Sequence, residues 1–205
     1  IDWNKRINLT AITDYEEVQI KHFLDSLTVT LAIKQPVESL CLIDVGTGAG
    51  LPGIPLKILF PDIKLTLLDA TAKKAAFLSH LRIELGLDNV EIVVGRAEEI
   101  AHDKEYREKF NLVLSRAVAS LPTLVELTLP FCAIDGSFIA QKKESIDEVN
   151  QATRAINLLG GNLREVKKID LPELAERWLV IIDKVSPTPE KYPRRPGMPA
   201  KRPIG

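Results

Sequence analysis

Apolar positions at Leu40, Leu42, Ile43 and Val45 predict a short buried strand, followed by a glycine-rich stretch over residues 46–53 and a helix over 54–59 that Gly53 opens. The same grammar repeats downstream. Residues 64–68 predict a second strand ending at Asp69, and Thr71 then caps a long helix with Ala75, Leu78, Leu81, Ile83 and Leu85 apolar, stopped by Gly86. Residues 90–94 predict a third strand, 110–114 a fourth and 136–140 a fifth, with a helix over 121–129 between the last two. A helix capped by Ser145 with Glu148 runs to Gly160 and Gly161, and residues 162–170 and 177–185 close the series as two strands near enough in sequence to return antiparallel. Strands alternating with helices predict an α/β three-layer sandwich around a mostly parallel seven-stranded sheet with an antiparallel last strand.

Ahead of the first strand, residues 1–12 read as the end of an amphipathic helix and a turn. Asp14 caps a second helix, with Glu17 at the capping-box position. Val18, His22, Phe23, Leu24, Leu27 and Leu31 recur there at helical spacing until Gln35 and Pro36 end it. His22 and Asp25 are the polar residues of interest on this helix, and a partly exposed face is the plainer account of them. The organisation is thus one domain: an N-terminal helical cap (1–36), a core (37–185) and a tail (186–205).

At 205 residues, 45% hydrophobic and with net charge −1, the chain is long enough for one sizeable core. No apolar run approaches the ~20 residues of a membrane-spanning helix, and no stretch resembles a signal peptide. The chain starts at Ile1 without Met, so further residues are expected ahead of it. Cys41 and Cys132 lie in apolar segments and suit a reducing cytoplasm, and too few Cys and His cluster for a zinc site. Charge is uneven: in the tail Lys191, Arg194, Arg195, Lys201 and Arg202 face only Glu190, and six of the thirteen prolines lie there. Such a segment runs extended, and with Tyr192 interleaved it suits phosphate contact and base stacking on RNA, or else is a solvated terminus.

Residues 48–53 formally match GxGxxG, the dinucleotide pattern, with Asp69 about 20 residues on. The strand ends at Val45, however, so the turn begins at Gly46, and counted from there the dehydrogenase spacing fails at Leu51. Asp44 would also repel a pyrophosphate. S-adenosylmethionine carries a sulfonium and an amino group, which favour a nearby carboxylate, and acid-x-Gly-x-Gly-x-Gly (Asp44, Gly46, Gly48, Gly50) after a first strand is the pattern of class I methyltransferases. A loop that only turns the chain is the third reading. On the methyltransferase reading Asp69 accepts two hydrogen bonds from ribose hydroxyls, or is merely a turn aspartate. The turn at Ala97 and Glu98 passes the adenine, or Glu98 and Glu99 are first-turn acids favoured by the helix dipole. Arg116, ending the fourth strand, borders the substrate side or forms a surface ion pair.

The chain resembles the bacterial 16S ribosomal RNA guanine-N7 methyltransferase family, also called glucose-inhibited division protein B, over nearly its whole length. The resemblance rests on Trp3-Asn4-Lys5-Arg6-Ile7-Asn8-Leu9-Thr10, His22-Phe23-Leu24-Asp25-Ser26-Leu27, the stretch from Asp44 to Pro55, Gly95-Arg96-Ala97-Glu98-Glu99, Ser115-Arg116-Ala117-Val118 and Lys191-Tyr192-Pro193-Arg194-Arg195, in this order. It implies a Rossmann-like class I methyltransferase that uses S-adenosylmethionine to methylate a guanosine of small-subunit RNA. Matching the donor site residue by residue implies Gly46, Leu51, Ala97, Glu98 and Arg116. The family usually has more N-terminal helix, and often Phe where this chain has Leu51. A methyltransferase for another acceptor, a catalytically silent RNA-binding protein on the same scaffold and an NAD-type oxidoreductase are the rival readings.

Overall fold

The computed structural model describes residues 1–34, 40–143, 146–174 and 176–205. Seven strands form one sheet: β1 (Cys41–Val45), β2 (Lys64–Asp69), β3 (Val90–Val94), β4 (Phe110–Arg116), β5 (Cys132–Lys142), β6 (Gly161–Ile169) and β7 (Arg177–Lys184). Their order is β3-β2-β1-β4-β5-β7-β6, with β7 antiparallel to both neighbours and the other pairings parallel. The order reverses between β1 and β4, and in open α/β sheets the crevice at the strand C-termini beside such a switch is where ligands bind.

Strand periodicity divides the apolar residues between two cores. Ile43, Val113, Phe138, Ala140, Val180 and Ile182 pack on one face. Leu42, Leu112, Leu114, Ile139, Leu179 and Ile181 pack on the other. Helices α6 (Leu121–Thr128) and α7 (Ile146–Leu158) supply the first core with Leu121, Leu124, Val125, Ala152, Ala155 and Ile156. Helices α3 (Gly53–Leu59) and α4 (Ala72–Glu84) supply the second with Ile54, Leu56 and Leu78.

The expected elements are present, with local corrections. Strand β5 begins at Cys132, four residues before the expected start, because Cys132 already pairs with Phe110 ahead of a register shift. Thr71 occupies the N-cap of α4 but its side chain makes no cap bond; instead its N–H donates to Asp69 Oδ1 at 2.8 Å. Ile83 and Leu85 are exposed rather than buried. The expected cap at Ser145 and the helix end at Gln35 and Pro36 lie outside the described residues.

The N-terminal cap differs more. Residues Trp3–Lys5 form a single 3-10 turn, not the end of an amphipathic helix. Asp14 does cap the next helix, its carboxylate accepting from Glu17 N at 2.9 Å. That helix changes character as it proceeds: α1 (Tyr15–Val18), a π-helical stretch Gln19–Leu24, α2 (Asp25–Leu27) and a 3-10 stretch Thr28–Ala32. The wider π turn rotates the following face. Asp25, Ser26 and Val29 are buried, while Phe23 and Leu31 are exposed.

The tail is not extended into solvent. It folds back on the body, with Tyr192 and Ile204 packed against the first core and a short helix α8 (Met198–Lys201) near its end. Apolar residues spaced among the prolines make this docking favourable, and Pro199 sits in the first turn of α8, where a missing N–H costs nothing.

Candidate functional site: an acidic cavity beside a cationic cavity

The turn after β1 is tied down from two sides. Asp44, without solvent exposure, accepts at Oδ2 from Thr47 Oγ1 (2.7 Å) and from Gly53 N at the start of α3 (2.9 Å). Its Oδ1 is buried with no partner. Burial pushes its pKa up to about 6, against the two hydrogen bonds and the positive charge of Arg116, which lower it. Gly46 has φ +72°, and a Cβ there would lie 2.6 Å from Val118 Cγ2. A side chain at residue 46 would be strained by this conformation and crowded by Val118. Gly48 and Gly50 also have positive φ, and Gly48 N donates to Asp69 Oδ2 at 3.0 Å.

Beside this turn lies a cavity of about 250 Å³ lined by Val45, Gly46, Asp69, Ala70, the turn from Gly95 to Glu98, Val118, Ala119, Thr123 and Leu127. It thus collects the ends of β1, β2, β3 and β4. Asp69 is nearly buried, and each of its oxygens holds one backbone N–H, leaving further lone pairs for a ligand. Glu98 is buried in the first turn of α5 (Ala97–Ile100), its Oε1 accepting from Gly197 N at 2.9 Å, with Arg96 Nη2 at 3.5 Å.

A second cavity, about 640 Å³, adjoins the first, because Val118 and Ala119 line both. Its floor is Asp25, a carboxylate 1% exposed, which accepts from Arg116 Nη1 (2.9 Å) at Oδ2 and from Arg177 Nε (2.9 Å) at Oδ1. Lys21, Lys142 and Lys143 add positive charge to its walls, and Glu148 pairs with Lys142 at 2.7 Å. Gln141 Nε2 donates to Asp25 O at 2.7 Å; since a carbonyl only accepts, the amide orientation is set, and the buried Gln141 Oε1 has no partner. His22 Nε2 lies 2.7 Å from Thr10 Oγ1, and its pKa is lowered by burial and then by Arg116.

Of the residues expected from sequence, Gly46, Asp69, Ala97 and Glu98 line the smaller cavity and Arg116 the larger. Asp44 and Gly48 brace the turn beneath, and Gly50 N closes it onto Thr47 O at 3.0 Å. Leu51 lies elsewhere. It lines an apolar cavity of about 700 Å³ with Ile54, Phe77 and Phe23, because Leu51 N bonds to Thr47 O and the turn carries its side chain toward α3 and α4. In the tail, Tyr192 is half-buried against the core, and Arg194 is half-buried with its guanidinium bound by Glu126. Lys191, Arg195, Lys201 and Arg202 are exposed.

Sequence reasoning misses Arg177, which lines the larger cavity, and the tail residues Gly197, Pro199 and Ala200, which line the smaller. It also underrates Asp25. An arginine opening the otherwise apolar run Trp178-Leu179-Val180-Ile181-Ile182 is the one local signal for Arg177.

The sheet order is that of the class I methyltransferase fold. The structure is similar to a SAM-dependent methyltransferase from Aquifex aeolicus, with TM-score 0.60 and 16% identity over 84% of this chain and 94% of that one. It is similar also to geranyl diphosphate C-methyltransferase from Streptomyces coelicolor, with TM-score 0.60 and 13% identity over 79% of each chain. At such identities the likeness concerns the fold. Sequence goes further: the chain belongs to the GidB family, rRNA small subunit methyltransferase G, whose model matches residues 1–177. Ribosomal RNA small subunit methyltransferase G of Dehalococcoides mccartyi is 55% identical, covering 100% of this chain and 87% of the relative. The protein of the same name from Desulforamulus reducens is 50% identical, covering 100% and 85%.

Proposed function

We propose that this methyltransferase transfers a methyl group from S-adenosylmethionine to N7 of a guanosine in 16S ribosomal RNA of the small ribosomal subunit. The observation that carries the reading is the pair of adjoining cavities, one acidic and one cationic, separated only by the turn that bears Val118 and Ala119. The donor supplies an electrophilic methyl group, which the N7 lone pair takes as the carbon–sulfur bond breaks.

The residues of the smaller cavity and of the turn beneath it fit that donor. The unpartnered, buried Asp44 Oδ1 and the raised pKa of its carboxyl mark a charge that a nearby cation relieves. Asp69 accepts from ribose hydroxyls, Ala97 and Glu98 border the adenine, and Gly46 keeps the approach open. In the larger cavity Asp25 orients Arg116 and Arg177 toward the RNA. Guanine N7 carries a free lone pair and no proton, so no general base is required. The residues act by holding the two reactants in line, which alone contributes about 7–11 kcal/mol in well-oriented systems.

Lys191, Arg195, Lys201 and Arg202 contact the RNA backbone beside the site, with Tyr192 and Arg194 holding the tail that bears them. The enzyme works in the cytoplasm as a monomer. No described helix is long and apolar enough to cross a membrane.

The test is transfer of labelled methyl from S-adenosylmethionine to purified small subunits and to naked 16S RNA, with nucleoside analysis of the product. N7-methylguanosine at a single site is the expected result. Donor binding without transfer to either substrate would require another acceptor.

A further inference from the structure

The tail is held by a series of specific bonds. Arg107 donates to the carbonyls of Thr188 (2.8 Å) and Tyr192 (2.9 Å), and His102 Nε2 lies 2.8 Å from Pro193 O. Arg194 then engages Glu126, a side chain with no solvent exposure: backbone N to Oε1 at 2.8 Å, Nε to Oε1 at 2.9 Å and Nη2 to Oε2 at 2.6 Å. Beyond it Gly197 N donates to Glu98 Oε1 (2.9 Å), Thr123 Oγ1 donates to Pro199 O (3.2 Å), and Ile204 enters the core.

Two of these anchors, Glu98 and Thr123, themselves line the smaller cavity, and between them Gly197, Pro199 and Ala200 form one of its walls. Glu126 stands three residues after Thr123 on α6, so the helix that walls the cavity is the helix that grips the tail. The family model ends at residue 177, while the full-length relatives align through this segment as well.

We propose that the C-terminal tail is a constituent of the methyl-donor site: its docking through Arg194 completes the wall against the adenosyl group and holds the Glu98 carboxylate in place. This rests on the donor assignment under the proposed function. It assigns residues 197–200, and not only the turns after the strands, to cofactor binding. It also predicts that donor occupancy and tail docking stabilise each other, since a ligand that binds only the docked form shifts the equilibrium toward it.

The experiment uses the full chain and S-adenosylhomocysteine. In the wild type, trypsin can cut the tail after Lys191, Arg194 and Lys201, because proline follows the other two tail arginines. Saturating S-adenosylhomocysteine should slow those cuts about tenfold or more, since proteolysis follows the population of the open form. Arg194→Ala should weaken S-adenosylhomocysteine binding about tenfold, measured by calorimetry, with the circular dichroism spectrum retained. Glu126→Gln combined with Arg194→Gln should give the same weakening without leaving a buried charge unpaired.

Unchanged affinity in a folded variant whose tail trypsin cuts readily would overturn the proposal. So would tight binding to the wild type with no protection of the tail. If neither variant folds, the wild-type protection measurement decides alone. Absence of any S-adenosylhomocysteine binding by the wild type would overturn the donor assignment itself, and the proposal with it.

Discussion

A carboxylate without solvent contact, with one oxygen unpartnered, is costly to ionise, and Asp44 is in that state. Its folded pKa of about 6 lies above the unfolded 3.8. Between those values the folded state binds more protons than the unfolded one, so stability falls as pH rises from 4 to 6. Above that window the penalty is on the order of 3 kcal/mol, from a shift of roughly two pH units at about 1.4 kcal/mol each. A cation bound nearby reduces it. Affinity for S-adenosylhomocysteine, which keeps its amino group, should therefore rise with pH through about 6 and level off, by up to about tenfold per pH unit. Calorimetric titrations from pH 5 to 7.5 measure this, and Asp44→Asn should abolish the slope. A slope that survives the substitution would mean that another group titrates.

At the scale of elements, one buried carboxylate ties the N-terminal cap to two separate strands of the core. Asp25 opens α2, immediately after the π-helical stretch, and there it meets Arg116 at the end of β4 and Arg177 at the start of β7. Arg116→Ala leaves the Asp25–Arg177 pair in place, so methyl transfer should fall about 100-fold, as for a misplaced reactant, while the thermal midpoint shifts little. Asp25→Asn leaves two guanidinium groups facing each other. It should cost about 3 kcal/mol, lower the midpoint by about 6–12 °C, and reduce transfer as well. Activity and melting curves on the two variants separate the roles; equal drops in melting temperature would mean that Arg116 is chiefly structural. The strands were legible in the sequence because a sheet covered on both faces gives short continuous apolar runs, which show without reference to their neighbours. The cap was not. Val18, His22, Phe23, Leu27 and Leu31 fit a regular helix, but the π turn moves the buried face onto Asp25 and Ser26. Arg177 escapes notice because only the β4-β5-β7 order places it one strand beyond β5, near the end of β4. The turn from Asp44 to Gly50 was legible, since its acid and glycines follow backbone demands that a sequence displays directly. The position of Leu51, by contrast, depends on how the turn leaves the cleft.

At the scale of the whole molecule, a net charge of −1 gives RNA no general attraction, so recognition depends on where the cations stand. The docked tail turns Gly197, Pro199 and Ala200 toward the smaller cavity while Lys191, Arg195, Lys201 and Arg202 remain exposed. Its proline-rich composition conceals this division, because Tyr192, Pro199 and Ile204 follow no regular period and their burial shows only in three dimensions. Replacing the four exposed cations together with Gln tests the outer face without disturbing Arg194. Binding to a single-stranded 16S fragment should weaken, and the slope of log affinity against log salt should become shallower by about 0.7 for each phosphate that is no longer neutralised, or about 3 in all. Affinity for S-adenosylhomocysteine should stay within about twofold of the wild type, because the wall and its anchors are intact. An unchanged salt slope would move RNA binding away from the tail to Lys21, Lys142 and Lys143 around the larger cavity, where the same substitution series can be repeated. A shallower slope with donor affinity intact would place the two ligands on opposite faces of one short segment.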